Sequence, residues 1–211
     1  MPRAYIIKII LLLTAVVAHT TLAATTESHK FTLVIDAGHG GHDYGAVAGK
    51  INEKSINLAT ALEFGRLVER NMPDVKIVYT RKGDYFKTLQ ERASIANKAN
   101  GNLFVSIHTN SVDKRNKRRT TIHGASTYTL GLHRSEENFA VAQRENSVMM
   151  LEDDYETKYL GFDPSSTESY IIFELSHDKN IYQRIDFAAK VQKQLSSTAG
   201  RADKRVRQSG F

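Results

Sequence analysis

Apolar positions along the chain fall into short blocks separated by polar turns. Phe31 to Asp36 is nearly continuously apolar, which predicts a strand buried on both faces. A glycine-rich turn follows, with Gly38, Gly40, Gly41 and Gly45. Ile56, Ala59, Leu62, Leu67 and Val68 then follow a helical stripe. With Asn52 as its cap, this predicts a helix from Glu53 to about Arg70. Val75 to Thr80 reads as a second strand. Leu89, Ala93, Ile95 and Ala96 mark a helix from about Thr88 to Lys98, and Leu103 to His108 reads as a third buried strand. Thr121 to Leu130 alternates and reads as a fourth. Ser135 opens a helix reaching about Leu151, Glu152 to Thr167 is an acidic loop, and a long helix runs from Glu168 to about Leu195. Its first half, Tyr170 to Leu175, is apolar nearly all round, which suggests burial or a covered groove. No strand is predicted after it.

Strands alternating with helices predict a single α/β domain with a largely parallel twisted sheet flanked by helices. In such sheets ligands sit beyond the carboxyl ends of the strands. His39 and His108 both fall at strand ends, and Glu53 begins the helix after the first strand.

The N-terminus changes the picture of location. Arg3 and Lys8 precede an apolar run from Ile9 to Ala18, and small residues follow through Ala23 and Ala24. This reads as a secretory signal peptide over residues 1–23, with a polar leader over 24–30 and the domain proper over 31–211. The apolar run is shorter than the ~20 residues of a membrane span. The mature chain is therefore expected to be exported to the periplasm or beyond, without a stable membrane span, and monomeric.

The chain has 211 residues and a formal net charge of +6. Its basic excess lies in two clusters, Lys114 to Arg119 and Arg201 to Arg207. Neither is interleaved with aromatics, so solvated loops are expected and no nucleic-acid partner. An anionic envelope polymer is the functional alternative. There are no cysteines, so a metal site must use His, Asp or Glu.

His39, Glu53 and His108 supply two imidazoles and a carboxylate, the ligand count of a catalytic zinc site with an open position. Taken singly, each has a plainer reading. A histidine at a strand end can be structural, and Glu53 can be a helix-start carboxylate stabilised by the helix dipole. The glycine turn alone could cradle a phosphate, although it lacks both nucleotide-binding fingerprints.

The motifs also occur in a recognisable order. Asp36-Ala37-Gly38-His39-Gly40-Gly41, then Asn52-Glu53-Lys54, Thr80-Arg81, Glu91-Arg92-Ala93 and Ser106-Ile107-His108-Thr109-Asn110 resemble the zinc-dependent N-acetylmuramoyl-L-alanine amidases of the cell-separation branch. The resemblance implies that His39, Glu53 and His108 bind Zn2+. It implies hydrolysis of the amide between N-acetylmuramic acid and the L-alanine of the peptidoglycan stem peptide. Arg81 and Arg92 match recurrent positions and are read as structural, pairing with acids around the sheet. His42, His123, His133 and His177 are not expected to be ligands.

Two departures are expected. In the family a final strand carries a general-base glutamate. Here that strand reads as missing and the glutamate would lie beyond Phe211, so no catalytic base is assignable and the chain reads as truncated. The segment 152–175 resembles the inserted helix of regulated amidases, in which an acid covers the metal until an activator protein of the division machinery displaces it. Glu174, or alternatively Glu168, would be that acid. The competing functions are another zinc peptidoglycan hydrolase, either a carboxypeptidase or a deacetylase, and a non-catalytic peptidoglycan-binding or regulatory protein.

Overall fold

The computed structural model describes residues 31–131, 136–152 and 181–210, together with Tyr155, Tyr159, Asp163 and Ser166. The expected signal peptide and leader lie outside the described residues. So do His133, Glu168, Glu174, His177 and the apolar half of the long helix.

Strand β1 (Phe31–Ala37) is the centre. It pairs in parallel with β4 (Val75–Tyr79) on one edge and with β5 (Leu103–Ile107) on the other. Between β1 and β4 the chain forms a small antiparallel pair, β2 (Val47–Ala48) and β3 (Ile51–Asn52), which the hydrophobic pattern did not predict. Helix α1 (Glu53–Asn71) then crosses back, with the Asn52 side chain accepting from the Ser55 N–H as expected of its cap. Helix α2 (Leu89–Lys98) links β4 to β5 and begins with a capping box between Thr88 and Glu91.

The strict alternation of β1 divides the core. Leu33, Ile35 and Ala37 pack with Leu58, Ala61 and Phe64 of α1. Asp36, on the other face, meets Arg92 of α2. The chain moves one way from β1 to β4 and then returns past β1 to β5. The carboxyl ends of β1 and β5 therefore frame the crevice where this class of sheet binds ligands.

The C-terminal half departs from expectation. Strand β6 (Ala125–Leu130) starts four residues later than the predicted Thr121, because Arg118 to Ile122 closes a hydrogen-bonded turn. Helix α3 (Glu136–Asn146) and a 3-10 turn (Ser147–Leu151) occupy the stretch predicted as helix. Helix α4 (Ile181–Ser197) occupies the second half of the stretch predicted as a long helix.

The expectation that no strand follows this helix is corrected. Strand β7 (Asp203–Ser209) follows and pairs in parallel with β6. Its sequence, Asp-Lys-Arg-Val-Arg-Gln-Ser, has almost no β-propensity. Among the described residues it pairs only with β6, and charged positions face solvent. The second basic cluster thus lies largely in a strand rather than a loop. Gln192 of α4 fastens the pair, donating to the Ala125 carbonyl and accepting from Thr127.

Candidate metal centre

The turn after β1 places His39 at a backbone φ of 62°, a left-handed conformation that a side chain of this size adopts only when its surroundings enforce it. The surroundings do so. Gly40 and Asp43 exchange backbone hydrogen bonds, closing the turn. The Arg92 guanidinium donates to the carbonyls of Ala37 and His39. Arg81, 1% exposed, donates to the carbonyls of Ala37, Gly38, Gly83 and Lys54. The expectation that both arginines are structural and pair with acids therefore needs dividing. Arg92 pairs with Asp36 at 2.6 Å, whereas the hydrogen bonds of Arg81 go to backbone carbonyls.

His39 Nδ1 lies 2.8 Å from Asp43 Oδ2. A carboxylate can only accept, so Nδ1 carries a hydrogen and Nε2 is the nitrogen that faces the cluster. Asp43 is itself held by the Gly45 N–H. A Cβ on Gly45 would collide with the His39 ring and with Glu53 Cβ, so the close approach requires glycine there.

Glu53 stands in the first turn of α1. One carboxylate oxygen accepts from the Ala46 N–H at 3.0 Å and the other from the Thr109 N–H at 2.7 Å. Asn57 donates to the second oxygen and to the Gly38 carbonyl, and accepts from Thr109 Oγ1. His108 follows β5 with its ring over Gly38, where a Cβ would sit inside the imidazole. The two imidazoles meet edge to face, 4.8 Å apart.

The structure thus brings together the three residues picked from the sequence. His39 Nε2 and His108 Nδ1 each lie 3.3 Å from Glu53 Oε1. It also adds a fourth. Glu145 Oε2, at the end of α3, lies 3.4 Å from His39 Nε2 and 2.9 Å from His108 Nδ1. These four ligand atoms all lie within 4.8 Å of one another.

Glu145 escaped the sequence reading because it belongs to no motif. The available signal was its position, since Asn138, Ala142, Glu145 and Asn146 form a buried helical stripe in which polar residues are out of place. The strand missed earlier sets that stripe. Asn146 donates to the Gly210 carbonyl just past β7, and Ser209 Oγ donates to the Asn138 carbonyl.

The donor set fits a divalent cation. His39 Nε2 and Glu145 Oε2 are both buried without a hydrogen-bond partner, a costly arrangement for groups with no ligand. Tetrahedral ligands about 2.05 Å from a zinc ion stand about 3.3 Å apart, close to the separations found. The charge also balances. Burial opposes protonation of His39, yet the facing carboxylates of Asp43, Glu145 and Glu53 hold it up at about 11. His108, against the same opposition, is held at about 9 by Glu145 and Glu53. Burial works to raise the Glu53 and Glu145 carboxyls, but the histidines hold both below the usual range. Two imidazoliums facing two carboxylates are neutral, and exchange of two protons for a divalent cation keeps them so.

His42 stacks on Phe86 and His123 bonds the Thr121 carbonyl, both outside the cluster as expected. A cavity of about 370 Å³ opens beside the ligands, walled by Arg144, Ser147, Val148, Met150 and Leu151.

A family model described as N-acetylmuramoyl-L-alanine amidase matches residues 33–211. The chain belongs to this amidase family. It is 34% identical over 118 residues to the Haemophilus influenzae protein described as "Probable N-acetylmuramoyl-L-alanine amidase AmiB", which covers 55% of the chain and 26% of that relative. Two further curated relatives are spanned over 43% and 40% of their length, so the chain represents well under half of each. The catalytic domain of the amidase CwlV from Bacillus (Paenibacillus) polymyxa aligns at a TM-score of 0.50 and 27% identity, over 86% of this chain and 71% of that one. A Clostridium difficile 630 amidase aligns at 0.57 and 20% identity, over 87% and 72%, and shares the fold. As in these amidase domains, the chain is a mixed α/β domain with a parallel sheet.

Proposed function

We propose that this protein is a zinc-dependent peptidoglycan hydrolase. It cleaves the amide between N-acetylmuramic acid and the L-alanine of the stem peptide, and serves wall turnover and cell separation in the periplasm or outside the cell. The observation that carries this reading is the convergence of His39, Glu53 and His108 within an amidase-family fold. Zinc, when bound, activates a water and polarises a carbonyl, which suits amide hydrolysis.

The chain's own residues do the positioning. Asp43 takes the Nδ1 hydrogen of His39 and so aims Nε2 at the cluster. The Ala46 and Thr109 amides pin Glu53, and Gly38 gives the His108 ring its seat. The adjoining cavity has room for the peptide end of a substrate. Among the described residues no helix is long and apolar enough to cross a membrane.

Glu145 takes the role first expected of Glu174 or Glu168, which lie outside the described residues. Its Oε2 faces both histidines, as a ligand does, and so fills the position a substrate carbonyl would need. On this reading the chain rests capped, and an activator protein of the division machinery withdraws α3.

Purified sacculi digested with the zinc-loaded protein should release stem peptides beginning with L-alanine, detected by mass. Shortened peptides would mean a carboxypeptidase instead, and an unchanged digest a binding protein. Glu145→Gln should raise the release rate several-fold; a loss of release would make Glu145 the base rather than the cap.

A further inference from the structure

Seven residues beyond Glu145, the same segment is anchored a second time. Glu152 is 7% exposed, an unusual position for a carboxylate at the end of a 3-10 turn. Its Oε1 accepts from the backbone N–H of Leu89, the first residue of α2 and 63 positions away in the chain. The Tyr159 hydroxyl donates to the same oxygen and is itself hydrogen-bonded to the backbone of Gln90.

These amides are the ones the helix cannot satisfy by itself. The first-turn N–H groups of any helix lack intrahelical partners. In α2 the capping box satisfies those of Thr88 and Glu91, and the Leu89 amide takes its partner from outside the helix. An acid from a distant segment supplies charge and acceptor together at the positive end of the helix dipole.

Between the two glutamates, Val148 and Met149 are buried, while Met150 and Leu151 are more than half exposed. The strap is therefore held by its two acidic ends, the buried Asn146–Gly210 hydrogen bond and a narrow apolar contact. Its inner wall is one side of the cavity beside the metal ligands.

We propose that Glu152 is a latch. By capping the Leu89 amide of α2 it holds the Glu145–Glu152 strap over the metal cluster, and its release from α2 is the step that uncovers the site. This rests on the reading of Glu145 as a displaceable cap.

The bond can be cut from either side. Glu152→Ala removes the acceptor. Leu89→Pro removes the donor at the helix position where proline is best tolerated, and Thr88 already has the extended ψ of 159° that a residue before proline requires. Amide hydrogen exchange is followed on the full chain. Each variant should speed exchange across Ser147–Leu151 about tenfold, with α1 unchanged, and the double variant should go little further. Leu89→Pro provides the reading if Glu152→Ala does not fold.

Exchange at the wild-type rate overturns the latch. So does acceleration by Glu152→Ala that Leu89→Pro fails to reproduce, or effects that multiply in the double variant. Release of muropeptides is measured on the same proteins. Release rising together with exchange supports the latch on an amidase. Faster exchange with no release from any variant, Glu145→Gln included, keeps the latch and sinks the amidase reading.

Discussion

At the scale of single residues, the candidate metal ligands are ordinary side chains held by unusual neighbours. His39 reaches the cluster because Asp43 takes its other ring nitrogen and because two arginines grip the carbonyls on either side of it. Asp43→Ala should lower zinc affinity about 10- to 100-fold, beside a loss of metal-free stability of about 1–3 kcal/mol from the donors left without an acceptor. Competition with a chromophoric chelator measures the first and calorimetry the second.

Asp36 is a different kind of residue, buried behind the site and bonded to Arg92, Ser106 and Thr80. Burial pushes its carboxyl upward, but Arg92 and the two hydroxyls outweigh it and hold the group below the usual range. A folded pKa below the unfolded one means that the stabilisation is complete above the unfolded value of 3.8 and is lost as pH falls through the folded value. Asp36→Asn should cost about 3 kcal/mol near neutral pH, since it leaves a buried guanidinium without its counter-charge. In denaturant melts the gap between wild type and variant should narrow steadily below about pH 4.

At the scale of elements, the decisive relation is between β7 and α3. The strand does not touch the ligands, yet its end receives Asn146 and its backbone meets Asn138, which sets the helix that presents Glu145. Asn146 is 2% exposed, so Asn146→Ala leaves the Gly210 carbonyl short of a buried donor. This should destabilise the fold by about 1–3 kcal/mol and loosen Glu145. An unfolding curve gives the first effect, and the variant's metal-transfer rate to a chelator should rise as it does for Glu145→Gln.

The same scale explains what could be read in advance. The elements around β1, α1, β4, α2 and β5 were legible because each has a hydrophobic period and a cap or glycine at its boundary. Strand β7 was not, because an edge strand with a solvated face needs little apolar character when its partner and α4 supply the packing.

For the whole molecule, the site is a junction of two parts. The three-stranded sheet contributes His39, Glu53 and His108, and the unit built on β6 and β7 contributes Glu145 through α3. A metal that binds all four groups ties the parts together and binds only the folded state. Zinc at about 100 times its dissociation constant should therefore stabilise the protein by about 2.7 kcal/mol. The melting temperature should rise with zinc and return with EDTA, and Glu145→Gln should keep a smaller part of the rise.

The sequence by itself marked the three candidate ligands His39, Glu53 and His108, the strand ends that present them and the family to which the chain belongs. Those features are local: a glycine turn, a helix cap and a strand end each have their own residue pattern. Tertiary structure alone decided that Glu145 completes the cluster, that Arg81 serves backbone carbonyls, and that Glu152 closes the first turn of α2. In each case the partner is a backbone group or a ring nitrogen many residues away. Backbone amides and carbonyls are the same at every position, so the sequence contains no mark of which one a distant side chain will find.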